Sequence, residues 1–173
     1  MSNNNLPYIT RLGLPGIDRV PFGFHACHFY SSRDQLIATL VPYFIAGLRN
    51  NERCHWITAH PLPARDAIEV LCAAWNGVNN AMQAGALSIL DFEQWYESSA
   101  GLNRDVLKLW IEEEERALAD GYTGLRITGN LSFLKPQDWT AFMQYEQAVT
   151  SRFNGGALSR SAAIRSGSAT TGR

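Results

Sequence analysis

A histidine and a cysteine two residues apart are the first candidates for chemistry. His25 and Cys27 belong to the segment FHACHFY at residues 24–30, which has the composition of a β-strand. Side chains alternate across a strand with a period of two residues, so both point to one face and could contact one ligand or metal ion. Zinc requires about four ligands, whereas the adjacent Cys54 and His55 lie on opposite faces of their own strand. We therefore expect ligand contact or core packing at this pair, and no metal site.

A cysteine nucleophile is the main catalytic alternative for the same pair. Cys27 would need an adjacent base to form a thiolate, and His25 is near in sequence and on the same face. Cα atoms two residues apart on a strand are separated by roughly 6 to 7 Å, which is long for a nucleophile bonded directly to its base. No glycine elbow surrounds the thiol. The pattern favours a protein without enzymatic activity.

The junction after this first strand also lacks a phosphate-binding loop. Ser31 and Ser32 follow the strand, where nucleotide-hydrolysing folds carry G-x-x-x-x-G-K-[ST] so that backbone N–H groups can wrap the phosphates. At residues 128–130 a later strand ends in Thr-Gly-Asn, so a neutral amide stands where such folds hold a metal ion with an acid. These features favour binding or sensing over hydrolysis and predict no cofactor.

Composition narrows the class of protein further. The 173 residues suffice for one α/β domain with a sizeable core, and a net charge of -1 gives no basic surface for direct nucleic-acid binding. No apolar run approaches the roughly 20 residues of a membrane span, and the N-terminus lacks a signal-peptide pattern, so we expect no membrane partner and a cytoplasmic location. Three cysteines without C-x-x-C spacing are expected to be reduced thiols.

Strand-like and helix-like segments alternate along the chain. Strands are predicted at 24–30, 53–59, 86–92 and 123–130, and helices with one apolar stripe at 31–48, from Pro63, from near Asn103 and from Pro136. Ser32 and Gln35 fit a capping box at the start of the first helix. The alternation predicts an α/β fold with three layers, a mainly parallel sheet with helices on both faces. Residues 1–20, rich in Pro and Gly, are predicted to be a flexible N-terminal segment, and residues 93–102 an aromatic-bearing connection.

Ligands of open parallel sheets bind at the carboxyl ends of the strands. Arg126 could reach such a ligand, because a guanidinium in an apolar strand must find an anion or several carbonyls. Its alternative is a structural ion pair with Glu52 or Asp91. Aromatic side chains near the edge could wall a pocket, Trp95 and Tyr96 above all. The candidate ligand-binding residues are His25, Cys27, Tyr30, Trp56, Thr58, Trp95, Tyr96, Arg126, Thr128 and Asn130.

Four motifs occur in one order along the chain. They are H-x-C-x-F-Y at 25–30, VPYFIAGLRNNERCHWITA at 41–59, ILDFEQWY at 89–96 and GLRITGNLSFL at 124–134. Through them the domain predicted at residues 21–153 resembles the MEDS family, the methanogen/methylotroph, DcmR-type sensory domains.

The resemblance implies a RecA- or KaiC-like core without its nucleotide loop, and a sensory role without enzymatic activity. It further implies a small one-carbon or hydrocarbon-type ligand, and a histidine kinase or transcriptional regulator as the output. Two alternatives stay open, a degenerate RecA-like nucleotide-binding protein and a pure protein-interaction module, and a homo-oligomer is compatible with each of them.

The C-terminal segment departs from the family pattern. The family carries a further strand with an A-L-C-x-Y motif, whereas residues 154–173 read NGGALSRSAAIRSGSATTGR, without an acidic residue. We expect the final strand to be missing or altered and this tail to be disordered or aberrant. One choice of codons for residues 159–166 also encodes A-L-C-S-Y-P-L in another frame, so we hypothesise a frame shift, which the gene sequence would test.

Overall fold

The structure is a computed structural model that describes residues 9–98, 106–130, 139–153 and 161–168. Seven strands and six helices lie in these ranges. In chain order they are β1 (Ile9–Leu14), β2 (Ile17–Pro21), β3 (Phe24–Tyr30), α1 (Arg33–Arg49), β4 (Arg53–Thr58), α2 (Ala64–Ala74), α3 (Val78–Gln83), β5 (Leu87–Asp91), α4 (Phe92–Ser98), α5 (Val106–Ala119), β6 (Leu125–Asn130), α6 (Trp139–Phe153) and β7 (Ser161–Ser168).

Five strands form one parallel sheet in the order β3-β7-β6-β4-β5. The carboxyl ends of these strands therefore lie at one edge, as a parallel sheet requires. Helices α1 and α2 pack on one face, while α4, α5 and α6 pack on the other. The predicted α/β class with three layers is confirmed.

Alternation along β4 divides the core into two parts. Trp56 points to the α1 face, where its ring stacks on Phe44 with centroids 4.8 Å apart. Ile57, the next residue, belongs to the cluster on the opposite face with Trp95 and Trp110. Because successive side chains of a strand point to opposite faces, both sides of the sheet are buried under helices.

An antiparallel hairpin of β1 and β2 packs against α1 and corrects the prediction of a flexible segment for residues 9–20. Residues 1–8 of that segment lie outside the described residues. Leu12 is completely buried and Val20 nearly so. Gly13 has φ 78°, and a Cβ atom there would overlap the carbonyl oxygen of Pro42. Pro and Gly here mark a hairpin turn between two alternating segments, because burial of their apolar side chains on α1 compensates the entropy of ordering them.

Two short helices replace predicted irregular segments. Helix α3 begins at Val78, between the helix predicted from Pro63 and the strand predicted at 86–92, where the sequence indicated no further element. Helix α4 occupies residues 92–98, the first part of the expected aromatic connection. Both are only one to two turns long, so the apolar periodicity that marks longer helices has little length in which to develop.

Strand β7 shows that the final strand, which was expected to be missing or altered, is present, and that residues 161–168 of the tail expected to be disordered or aberrant form a strand. It lies inside the sheet, where its backbone pairs with β3 on one side and β6 on the other. An interior position satisfies N–H and C=O groups along both edges of a strand, whatever its side chains are. The strand is thus stabilised by its backbone pairing. Its small and polar residues do not form the apolar pattern by which a strand is recognised in a sequence.

Candidate functional site

The first turn of α1 is closed by its own side chains. The Ser32 hydroxyl accepts a hydrogen bond from the backbone N–H of Gln35 at 3.2 Å, which confirms the predicted cap. The Gln35 carboxamide oxygen accepts in turn from the backbone N–H and the hydroxyl of Ser31, both at 2.9 Å. Arg33 pairs with Asp66 of α2 at 3.1 Å. Two of the backbone donors at this helix terminus, the N–H groups of Ser31 and Gln35, are thus already used.

A narrow crevice lies next to this turn, between α1 and the carboxyl ends of β4 and β6. Its apolar lining comes mainly from Leu36 and Leu40 of α1, Leu62 before α2, and Trp56; two hydroxyls, those of Thr58 and Thr128, complete it. The cavity measures about 10 Å³, close to the room that one water molecule needs. We call it the strand-end crevice. None of the residues that line it carries a charge.

Thr58 is held at the rim of the crevice by a hydrogen-bond relay. Its hydroxyl donates to Asp91 Oδ1 at 2.9 Å and lies 3.2 Å from the Leu90 carbonyl oxygen. The same Asp91 oxygen accepts from the backbone N–H of Ala64 at 2.8 Å. A carboxylate at the end of β5 therefore caps the first turn of α2, where Pro63 has no side-chain cap to offer.

Thr128 differs from Thr58 in having no partner for its hydroxyl among the described residues. The residue is 1% exposed, and it lies opposite Trp56 in the register between β6 and β4. A buried hydroxyl without a hydrogen bond costs free energy. The crevice thus contains one polar atom that a ligand could satisfy.

Arg126 lies on the same sheet face but takes the structural role that was its alternative. Its guanidinium pairs with Glu52 at 2.7 Å, and both side chains are fully buried. It also donates to the Leu12 and Tyr43 carbonyl oxygens, at 3.1 and 2.6 Å, and to the Arg11 carbonyl oxygen at 2.7 Å. The arginine therefore ties the N-terminal hairpin to the sheet.

Around this ion pair, burial raises the pKa values of Tyr43 and Cys54 above their usual ranges. The thiol of Cys54 therefore stays protonated, which makes it an inert part of the core.

His25 and Cys27 share one face as predicted, but it is the face that α6 covers. His25 Nε2 is 3.2 Å from Glu146 Oε2, and Nδ1 is 3.4 Å from the Thr150 hydroxyl. Cys27 is exposed on this face. Tyr30 is buried in the cluster on the α1 side. The structure therefore does not bring the histidine–cysteine pair to the strand-end crevice.

Trp95 belongs to the core on the α5 side, where it stacks on Trp110 with centroids 4.7 Å apart. The backbones of Tyr96 and Asn130 lie in α4 and β6, whereas their side chains are outside the described residues. Of the ten predicted site residues, the crevice brings together Trp56, Thr58 and Thr128.

Sequence reasoning placed Leu36 and Leu40 only in the apolar stripe of α1. Their helical spacing is the one signal available, and it cannot distinguish a leucine that lines a crevice from one that is simply packed.

His55 is a largely buried titratable residue that the sequence pattern did not single out for function. Its ring lies 5.9 Å from that of Trp95 and 6.5 Å from that of Trp110. Burial, with the positive charges of Arg53 and Arg116, lowers the pKa of His55 to about 4. Glu113 Oε2 is 3.5 Å from Nε2, but Glu113 also forms an ion pair with Arg116. The imidazole is therefore neutral at physiological pH.

Two further kinds of feature, a metal site and a membrane-spanning helix, were sought among the described residues. Across them, no three His, Cys, Asp or Glu side chains gather closely enough to coordinate a metal ion. No helix in the same ranges has the length and apolar character of a membrane span.

Comparisons with known proteins give the fold and family. A solved KaiC-like protein from the hyperthermophilic archaeon Pyrococcus horikoshii OT3 is similar with a TM-score of 0.60 and 13% identity, covering 95% of this chain and 72% of that one. At this identity the likeness shows the fold alone, which confirms the KaiC-like core. No curated protein sequence matches significantly. The sequence model of the MEDS family, described as the methanogen/methylotroph, DcmR sensory domain, matches residues 24–159. The chain belongs to the MEDS family of sensory domains.

Proposed function

We propose that this domain binds a small one-carbon or hydrocarbon-type molecule in the strand-end crevice and acts as the input module of a cytoplasmic histidine kinase or transcriptional regulator. Membership of a sensory family supports the sensory role. The observation that carries the choice of ligand class is the set of side chains that line the crevice, which are apolar apart from those of two threonines and carry no charge. An uncharged lining suits an uncharged ligand, because a buried ion without a partner is costly.

The closed helix terminus argues against a nucleotide at the same edge. The Ser32 hydroxyl binds the N–H of Gln35 and the Gln35 carboxamide binds the N–H of Ser31, while Asp34 adds a negative charge to the first turn. A triphosphate would have to displace both side chains and approach a like charge. We therefore place a degenerate nucleotide-binding protein second, without catalysis in either case.

Ligand entry would change the distance between helices. A molecule larger than the present cavity must separate Leu40 of α1 from Leu62, which precedes α2. The Arg33–Asp66 ion pair spans the two helices and responds to the same movement. Such a change shifts the output only to the extent that the open and closed forms bind the ligand differently.

Ligand screening by NMR and thermal unfolding tests this proposal. Methanol, formate and dichloromethane are compared with Mg²⁺-ATP, and amide shifts of Ala59, Leu62 and Gly129 report binding at the crevice. We expect an uncharged compound to shift these amides and raise the Tm, while ATP does neither.

A variant that fills the crevice, Leu40→Phe, should abolish the shifts, whereas Met143→Phe on the exposed face of α6 should preserve them. Stabilisation by ATP alone would contradict the proposal in favour of the nucleotide-binding alternative. Binding of a protein partner without any ligand effect would favour the interaction module.

A further inference from the structure

Thr128 provides a polar anchor in a crevice whose other lining side chains, apart from that of Thr58, are apolar. Its Oγ1 is buried and has no hydrogen-bond partner among the described residues. Thr58, the other hydroxyl of the lining, already donates to Asp91. The two threonines therefore differ in what they can offer, because the hydroxyl of Thr128 alone is available to both donate and accept.

We propose that the strand-end crevice selects ligands of the alcohol class, with the ligand hydroxyl bound to Thr128 and its hydrocarbon part between Leu36, Leu40 and Trp56. This inference rests on the proposed function and specifies its ligand. A ligand hydroxyl can serve as donor or acceptor, so it satisfies Thr128 in either rotamer of the threonine hydroxyl.

Charge and size restrict the ligand to short, neutral molecules. Ammonium and carboxylate groups would be buried without a counter-ion, since no lining residue is charged. The present cavity of about 10 Å³ admits a group the size of one hydroxyl or water. A short alkyl chain then requires the adjacent leucines to move, which couples ligand size to the separation of α1 from the sheet.

A haloalkane of matched shape separates the hydroxyl from the hydrocarbon contribution. The dissociation constants of 1-propanol and 1-chloropropane are measured by titrating the crevice amides of Ala59, Leu62 and Gly129 in wild type, Thr128→Val and Thr128→Ser. Valine keeps the shape of threonine but removes the hydroxyl, and serine retains it. Thr140→Val, on the exposed surface of α6, controls for the replacement of threonine by valine itself.

The ratio of the two dissociation constants is the decisive quantity. In Thr128→Val we expect it to shift against the alcohol by about 2- to 10-fold, the loss of one neutral hydrogen bond. Thr128→Ser and Thr140→Val should keep the wild-type ratio. An unchanged ratio in Thr128→Val, or crevice amides that respond to neither compound, would overturn the alcohol assignment. The proposed function fails separately, if no uncharged compound of the wider screen reaches the crevice.

Discussion

Individual residues of this domain owe their properties to the face on which the sheet places them. His55 and Trp56 are neighbours in sequence, yet one is enclosed by the Trp95–Trp110 stack and the other lines the crevice. Arg126, which from the sequence suits an anionic ligand equally well, is fully occupied by Glu52 and hairpin carbonyls. Burial and partners, not residue type, decide which of these groups can meet a ligand.

His55 should make the domain less stable in mild acid. Its pKa is lowered from 6.5 in the unfolded chain to about 4 in the folded one, chiefly by burial. Below pH 6.5 the imidazole binds a proton in the unfolded chain but not in the folded protein. The free energy of unfolding therefore falls as the pH drops from 6.5 towards 4. The stabilisation is complete above pH 6.5, and the loss is about 3 kcal/mol because one pKa unit corresponds to about 1.4 kcal/mol. Urea unfolding monitored by tryptophan fluorescence measures it.

A variant that lacks only His55 isolates this contribution from that of the carboxyl groups. His55→Gln should unfold more easily at neutral pH but show a flatter pH profile between 6.5 and 4. His60→Gln, at an exposed position, serves as the control for the loss of a histidine. If the free energy of unfolding changed equally with pH in wild type and His55→Gln, His55 would not titrate as described.

Gly47 should be intolerant of alanine although it lies inside a helix. A Cβ atom at this position would overlap Nε and Cδ of Arg126, which the bonds to Glu52 hold in place. Helix propensity alone would favour alanine by about 1 kcal/mol, but we expect Gly47→Ala to lower the free energy of unfolding by about 1–3 kcal/mol through overpacking. Hydrogen exchange should show weaker protection of the β1–β2 hairpin, because Arg126 binds its carbonyls.

Ala38→Gly, on the exposed side of the same helix, serves as the matched control. It should lower the free energy of unfolding by about 1 kcal/mol, because glycine has a lower helix propensity than alanine. The protection of the β1–β2 hairpin against hydrogen exchange should stay unchanged. A Gly47→Ala protein more stable than wild type would mean that Arg126 can move aside.

Helices and strands of this domain depend on contacts made far away in sequence. The capping box of α1 is local, so the sequence predicts it correctly. The cap of α2 is not local, because Asp91 reaches it from the end of β5. The hairpin of β1 and β2 is likewise fixed by α1 and Arg126.

Removal of the distant cap should loosen α2 and the crevice rim together. Asp91→Ala deletes the acceptor of both the Ala64 N–H and the Thr58 hydroxyl, and we expect a loss of about 1–2 kcal/mol in the free energy of unfolding. Asp91→Asn keeps an acceptor oxygen and should lose less. Denaturant unfolding combined with amide exchange at Ala64 measures both, and equal effects of the two substitutions would assign the loss to charge and not to the cap.

The whole domain depends on an interior strand contributed by the C-terminal segment. Strand β7 separates β3 from β6, so β3 joins the sheet through it. A parallel sheet without this strand would leave β3 and β6 with unpaired backbone groups on facing edges.

Truncation after Phe153 should therefore abolish cooperative folding. Thermal unfolding followed by circular dichroism is expected to show a broad transition or none, together with loss of the crevice amide pattern. Truncation after Ser168, which retains β7, should preserve the wild-type transition. A protein ending at Phe153 that unfolds with the wild-type Tm would contradict the placement of β7 in the sheet.

The sequence by itself determined what depends on local periodicity. Period-two and helical stripes predict four strands of the sheet and the helices between them, and hence the α/β class, since each pattern is complete within one segment. The absence of a phosphate loop, and the motifs shared with the sensory family, also follow from contiguous residues.

Only the tertiary structure decided which side chains meet. Trp56, Thr58 and Thr128 lie in one crevice. His25 lies on the sheet face under α6, and Arg126 forms an ion pair with Glu52. The tertiary structure also inserted β7 into the sheet and folded residues 9–21 against α1. These outcomes depend on strand order and on long-range burial, which link residues far apart in the chain and leave no trace in the periodicity of either segment.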